Sequence, residues 1–179
     1  MNILIKLGIF LAVFLCTLMG FSQSKSNKVY DMFSGKDGVS SISLSKSAIV
    51  QFDLFFDDDT KKVVSKIDRF RFLSYDENKG KLRSYQVYER ISTEFSSVDY
   101  FSIDPSELDC KNCNDKWNNN EVKLWGRGDR VSMSEFHILL TDNNNCLLFS
   151  FYGDITIDDI NKCADFGNTA QMSTSIKIE

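Results

Sequence analysis

The chain has 179 residues, with 21 basic and 25 acidic side chains and a formal net charge of −4. That balance excludes binding to a phosphate backbone through massed Lys and Arg, and a single proline excludes a proline-rich stalk. Fifteen phenylalanines point to an aromatic core, and the length suits one domain.

Residues 1–22 read as a signal peptide. Lys6 gives a positive start, Leu7 to Leu15 is an unbroken apolar run, and Gly20-Phe21-Ser22 places small residues at −3 and −1 of a cleavage site before Gln23. The run is short for a spanning helix of about 20 apolar residues. Cys16 lacks the small preceding residue that lipid attachment wants. Cleavage leaves no stable membrane span, and the mature chain is expected to be periplasmic or secreted.

Residues 25–34 suit a short helix, with Val29, Met32 and Phe33 at helical spacing and Gly35 ending it. Ser40, Ile42 and Leu44 share one face of a strand over 39–44. Residues 45–57 predict a helix capped by Ser45. Ala48, Ile49, Phe52, Phe55 and Phe56 form its stripe, and Asp57-Asp58-Asp59 would sit at its unfavourable C-terminal end. Ile67 to Leu73 alternates, with Phe70 and Phe72 on one face and Arg69 and Arg71 on the other. Lys81 to Phe95 predicts a helix whose stripe is Leu82, Tyr85, Tyr88, Ile91 and Phe95. Each buried aromatic contributes on the order of 1.5–3 kcal/mol, so Phe52→Asp or Tyr85→Asp is expected to unfold the domain.

Val98 to Ile103 is β-rich. Residues 104–120 break the pattern with the proline, a Cys-x-x-Cys and an asparagine run, and read as a loop. Three alternating segments follow, 121–127, 131–140 and 146–152, separated by turns: a three-strand meander. Thr156 and Asp159 then form a capping-box signature for a helix with Ile157, Ile160 and Ala164 on its buried face. The expected architecture is one α+β domain over 23–167, a largely antiparallel sheet of about six strands with helices packed on one face. A polar tail, 168–179, follows.

Three segments resemble the family catalogued as domain of unknown function 4252, small signal-peptide-bearing proteins of Gram-negative bacteria. They are residues 33–46 (Phe33-Ser34-Gly35-Lys36-Asp37-Gly38 onward), Ile67-Asp68-Arg69-Phe70-Arg71-Phe72-Leu73, and residues 149–160 (Phe149-Ser150-Phe151-Tyr152-Gly153-Asp154 onward). The resemblance spans roughly residues 28–166. It implies fold and export and no catalytic residues. The Cys-x-x-Cys departs from the family pattern.

Cys110, Cys113, Cys146 and Cys163 survive cleavage and are candidate disulfide partners, with three pairings open. Cys110 and Cys113 have thiol-exchange spacing, but Asp109 and Asp115 flank them and oppose a reactive thiolate. A structural zinc site would need Cys146 and Cys163 alongside them. His137 is the single histidine and lies in an alternating strand. A Ser–His–Asp set would lack a Gly-x-Ser-x-Gly elbow. Asp57-Asp58-Asp59 and Asp142-Asn143-Asn144-Asn145 read as solvated turns rather than calcium loops. Trp125, Arg127 and Lys123 share one strand face with Glu121 and, with Trp117 and Tyr100, form the candidate binding surface. No metal, cofactor or nucleic acid is expected. The function implied is a non-enzymatic envelope accessory module that binds another envelope protein. The alternative is an envelope thiol–disulfide oxidoreductase or hydrolase using Cys110 and Cys113, or His137.

Overall fold

The computed structural model describes residues 24–51, 58–108 and 121–164. The leader, the polar tail, Phe52, Phe55, Phe56, Cys110, Cys113 and Trp117 lie outside the described residues, and of Cys163 only the backbone is described. In chain order the elements are α1 (Lys25–Phe33), β1 (Val39–Ser45), α2 (Lys46–Val50), α3 (Asp58–Val64), β2 (Ile67–Asp76), α4 (Ser84–Phe95), β3 (Phe101–Ile103), a 3-10 turn (Pro105–Glu107), β4 (Glu121–Gly128), β5 (Met133–Thr141), β6 (Asn145–Ile155) and α5 (Ile157–Ala164).

The six strands form one sheet in the order β1-β2-β6-β5-β4-β3, with every neighbouring pair antiparallel. After β2 the chain crosses the sheet through α4 to the far edge. It then returns strand by strand through the expected meander to lie beside β2. This is the α+β domain read from the patterning.

Because side chains alternate across a strand, the register assigns each residue a face. Leu73, Tyr75, Leu148, Cys146, Leu139 and Trp125 lie on the first face, under α1 and α4. From α1 come Val29, Tyr30 and Phe33, and from α4 come Val87, Tyr88, Ile91 and Phe95. Tyr85 does not join them. It is 55% exposed, so the stripe of α4 runs through Val87 and Tyr88, and Tyr85→Asp should not unfold the domain. The start of α4 is satisfied by two side chains, one before the helix and one within its first turn. Glu77 accepts from the Ser84 amide at 2.8 Å, and Gln86 accepts from the Arg83 amide at 3.0 Å.

The second face is closed only in part. Ile49 and Val64, from α2 and α3, pack with Ile67, Leu44, Phe70 and Phe151. From α5, Ile157 and Ile160 pack with Ile103, Leu124, Phe136 and Ile155. Phe72, Phe149, Leu147, Ile138, Leu140 and Val122, on the rest of that face, are half-buried, and Ile42 on the β1 edge is 55% exposed.

Two local expectations change. The described part of the helix predicted over 45–57 is Lys46–Val50, and Ser45 precedes it without a side-chain cap. Asp58 opens α3 instead of closing a helix, so its carboxylate sits at the favourable end. The capping box of α5 is present as read: Thr156 Oγ1 accepts from the Asp159 amide at 3.1 Å, and Asp159 accepts from the Thr156 amide at 3.0 Å. Lys66 adds a 2.8 Å ion pair to Asp159, tying α5 to the start of β2. Gly153 lets β6 pass there. Its φ is +155°, and a Cβ would stand 2.0 Å from the Lys66 carbonyl oxygen.

Candidate functional site

The titratable groups converge on the first face, beneath α1. Antiparallel register sets His137 between Trp125 and Ser150, and Glu135 between Arg127 and Tyr152. Six strand residues are thereby fixed as neighbours before any helix docks. From above, α1 lowers Ser26 and Tyr30, with Ser24 at its start, and Tyr100 enters from the segment before β3. Phe95 of α4 stacks on the His137 ring at 4.4 Å and seals it.

The hydrogen bonds form a continuous chain. Tyr30 Oη donates to Ser150 Oγ at 3.0 Å, and Ser150 Oγ lies 2.8 Å from His137 Nδ1. Glu135 is ionised and can only accept, so neutral His137 carries its hydrogen on Nε2 and donates to Glu135 Oε2 at 3.2 Å. Its bare Nδ1 then accepts from the Ser150 hydroxyl. Glu135 also accepts from Arg127 at 2.6 Å, Tyr100 at 2.9 Å and Ser24 at 2.9 Å. Beside this chain, Ser26 and Tyr152 share a 2.5 Å hydrogen bond.

The electrostatics follow from burial and partners. Burial pushes the Glu135 carboxyl up, but hydrogen bonds from His137 and Arg127 outweigh it and hold it at about 2. Burial lowers His137, against the opposing pull of Glu135, so the imidazole stays neutral. Burial likewise raises Tyr30 and Tyr100 and keeps both phenols protonated.

Ser150, His137 and Glu135 have the residue types of a hydrolase triad. The sequence reading missed Glu135 and Ser150, although each breaks an apolar row: Glu135 two before His137, and Ser150 between Leu148 and Tyr152. The geometry is not that of a working nucleophile. Ser150 and His137 are both 0% exposed, and the Ser150 hydroxyl is shared with Tyr30. What this arrangement does is fasten α1 to the sheet through Ser24, Ser26 and Tyr30. Hydrogen bonds to a charged partner such as Glu135 contribute about 1.5–3 kcal/mol each.

A family model described as a domain of unknown function (DUF4252) matches residues 30–163, most of the chain. The chain belongs to the DUF4252 family. No curated protein and no solved structure matches it. In this DUF4252 domain the matched span begins at Tyr30 and contains Glu135, His137 and Ser150.

The described side chains of the expected binding surface are engaged within the fold. Trp125 is 4% exposed and stacks on Phe95 at 5.2 Å, so its indole is core. Lys123 is held over the Tyr88 ring at 4.7 Å and hydrogen-bonds Ser92 at 3.2 Å, and Arg127 is bound to Glu135. Alternation correctly put these side chains on one face but could not say that α4 covers it. Cys146 is a free, buried thiol rather than a disulfide partner. Burial pushes its pKa up to about 12, far from a reactive thiolate. Asp142 accepts from the Asn144 and Asn145 amides at 2.8 and 2.7 Å, which is turn chemistry. Among the described residues no helix is long and apolar enough to cross a membrane.

Proposed function

We propose that this DUF4252 domain is an exported, non-enzymatic accessory module of a bacterial envelope, periplasmic or secreted, that binds another envelope protein. The observation carrying the non-enzymatic part is the burial of Ser150 and His137 under α1, with every group of the chain engaged by another side chain. A hydrolase needs its serine open to substrate and its base free to take the proton. Here both are spent on attaching a helix. The thiol-exchange alternative rests on Cys110 and Cys113, which lie outside the described residues; the buried, protonated Cys146 sulfur is no third candidate. The half-open apolar rows of the second face support the binding part, because a folded domain gains nothing by leaving such rows wet.

A serine-directed fluorophosphonate tests the enzyme question on the purified protein. No labelling of Ser150 is expected, and stoichiometric labelling abolished by His137→Gln would overturn the reading. Amino-terminal sequencing of the protein recovered from cells tests export, with Gln23 expected first. For binding, crosslinking in envelope fractions should give one discrete adduct that disappears in Phe149→Ser. An adduct unchanged by that substitution contradicts the proposed surface.

A further inference from the structure

Four cations stand on the helix-covered face of the sheet, and they divide into two pairs. Lys123 and Arg127 have carboxylate partners, Glu89 at 3.6 Å and Glu135 at 2.6 Å. Arg69 and Arg71 have no carboxylate within ion-pair distance among the described residues, although the chain has an excess of acidic side chains. Asp68, between them and the chain start of β2, is taken by Lys46 at 3.0 Å.

Each guanidinium is held by a ring instead. Arg71 Cζ lies 3.7 Å from the Tyr30 ring centroid and Arg69 Cζ 4.0 Å from that of Tyr152. Both rings are themselves fixed, since Tyr30 donates to Ser150 and Tyr152 is bonded to Ser26. The five N–H groups of a guanidinium lie in one plane, and a ring face neutralises none of them as a carboxylate would. Arg71 uses one of them on Asn27 Oδ1 at 3.0 Å. The others are unspent in the contacts among the described residues. Next to them on the edge strand the register places Ser43 opposite Arg71 and Ser45 opposite Arg69, both exposed.

Two forks two residues apart on one strand are separated by about 6.5–7 Å along the chain, with hydroxyls beside them. A carboxylate has two acceptor oxygens and satisfies one fork. A phosphate or sulfate group has three or more terminal oxygens and can accept from both forks and a serine together. We infer that Arg69, Arg71 and Ser43 form a binding site for a phosphate or sulfate group, at the open flank between α1 and β1. The chemistry of recognition is the same for a free group and for one carried on a lipid headgroup.

Titration of the protein with inorganic phosphate, followed by NMR of arginine side-chain and β1 amide resonances, tests this directly. Saturable shifts centred on Arg69, Arg71 and Ser43 are expected. Ser43→Asp, on an exposed edge position, should weaken binding by about tenfold or more while leaving the melting temperature in place, because its carboxylate occupies the fork of Arg71 opposite it. Arg71→Lys should weaken it too, since charge remains and the fork is lost. A second arm uses phosphatidylcholine vesicles with and without phosphatidylglycerol. Sedimentation with the anionic vesicles, lost in Ser43→Asp, assigns the group to a lipid; phosphate binding without sedimentation assigns it to a soluble ligand. No saturable response in either arm, or a response unchanged in both variants, overturns the site.

Discussion

The two faces of the sheet solve the problem of burial in opposite ways. The first face is roofed over its centre by α1 and α4, yet it carries Arg69, Arg71, Glu135, His137 and Ser150. The second face carries Phe70, Phe72, Phe149, Phe151 and Ile138, yet half of it is left partly open. Polarity in a strand row therefore does not mark the solvent side. Charged and hydroxyl groups can be roofed when each finds a partner, and the cost of desolvating them is offset by hydrogen bonds of high strength in a dry site. The same partners give α1 a single docking position, which an apolar stripe alone specifies less sharply.

The largest test of this contrast is Glu135→Ala. It leaves His137, Arg127 and Tyr100 without their shared acceptor, so a loss of about 3–5 kcal/mol is expected from urea unfolding. A loss below about 1 kcal/mol would show that the network does not hold the first face together. The adjacent pair Leu148 and Phe149 sharpens the comparison, because neighbouring residues point to opposite faces. Leu148→Ala, at a site with no exposure, should cost about 2–5 kcal/mol. Phe149→Ala, half-buried and facing the Phe72 ring at 4.9 Å, should cost less than the usual 3–5 kcal/mol of a buried phenylalanine. Equal losses would place both faces in the same core.

Acid should act on the first face through His137 and Glu135, and on α5 as well, where burial pushes the Asp159 carboxyl up but hydrogen bonds from Lys66 and Thr156 outweigh it and hold the group low. His137 is depressed in the folded state, so the unfolded chain takes up its proton first as the pH falls below about 6.5. The stability contributed by neutral His137 is present above that value and is lost as the pH falls. Glu135, held at about 2 against an ordinary 4.5, adds stability above 4.5 that is lost between 4.5 and 2. Unfolding free energy should therefore fall monotonically from pH 7 to pH 3, and His137→Gln should flatten the upper part of that curve. The smallest effect belongs to Tyr85→Ala, which should change stability by less than about 0.5 kcal/mol, whereas Tyr88→Ala should approach a full aromatic loss.

Much of the fold is legible in period and punctuation. The meander is marked by alternation interrupted at Gly128-Asp129 and at Asp142 to Asn145, and α5 by Thr156 and Asp159. Helix α4 is visible too: Tyr88, Ile91 and Phe95 of its expected stripe are buried, and Tyr85 departs from it because a tyrosine fits a stripe on spacing whether or not it faces inward. What the sequence hides is which face of the sheet the helices choose. Trp125 on one strand and Phe70 on another are equally apolar in pattern, and only the path of α4 over the sheet separates them. The buried network was hidden for a related reason. Glu135 lies two residues before His137 on the same strand face, but Ser150 is 13 positions away and becomes its neighbour only through register. Their signal was a polar residue interrupting an otherwise apolar row.

Amide hydrogen exchange on the Ser24→Ala, Tyr30→Phe double variant is the most direct probe of the proposed role of these groups. Removing two hydroxyls while keeping the apolar contacts of Val29 and Phe33 should release α1 first, so that its amides exchange faster while those of α4 and the central strands keep their protection. Unchanged protection in α1 would contradict the assignment of Ser150, His137 and Glu135 as its anchor.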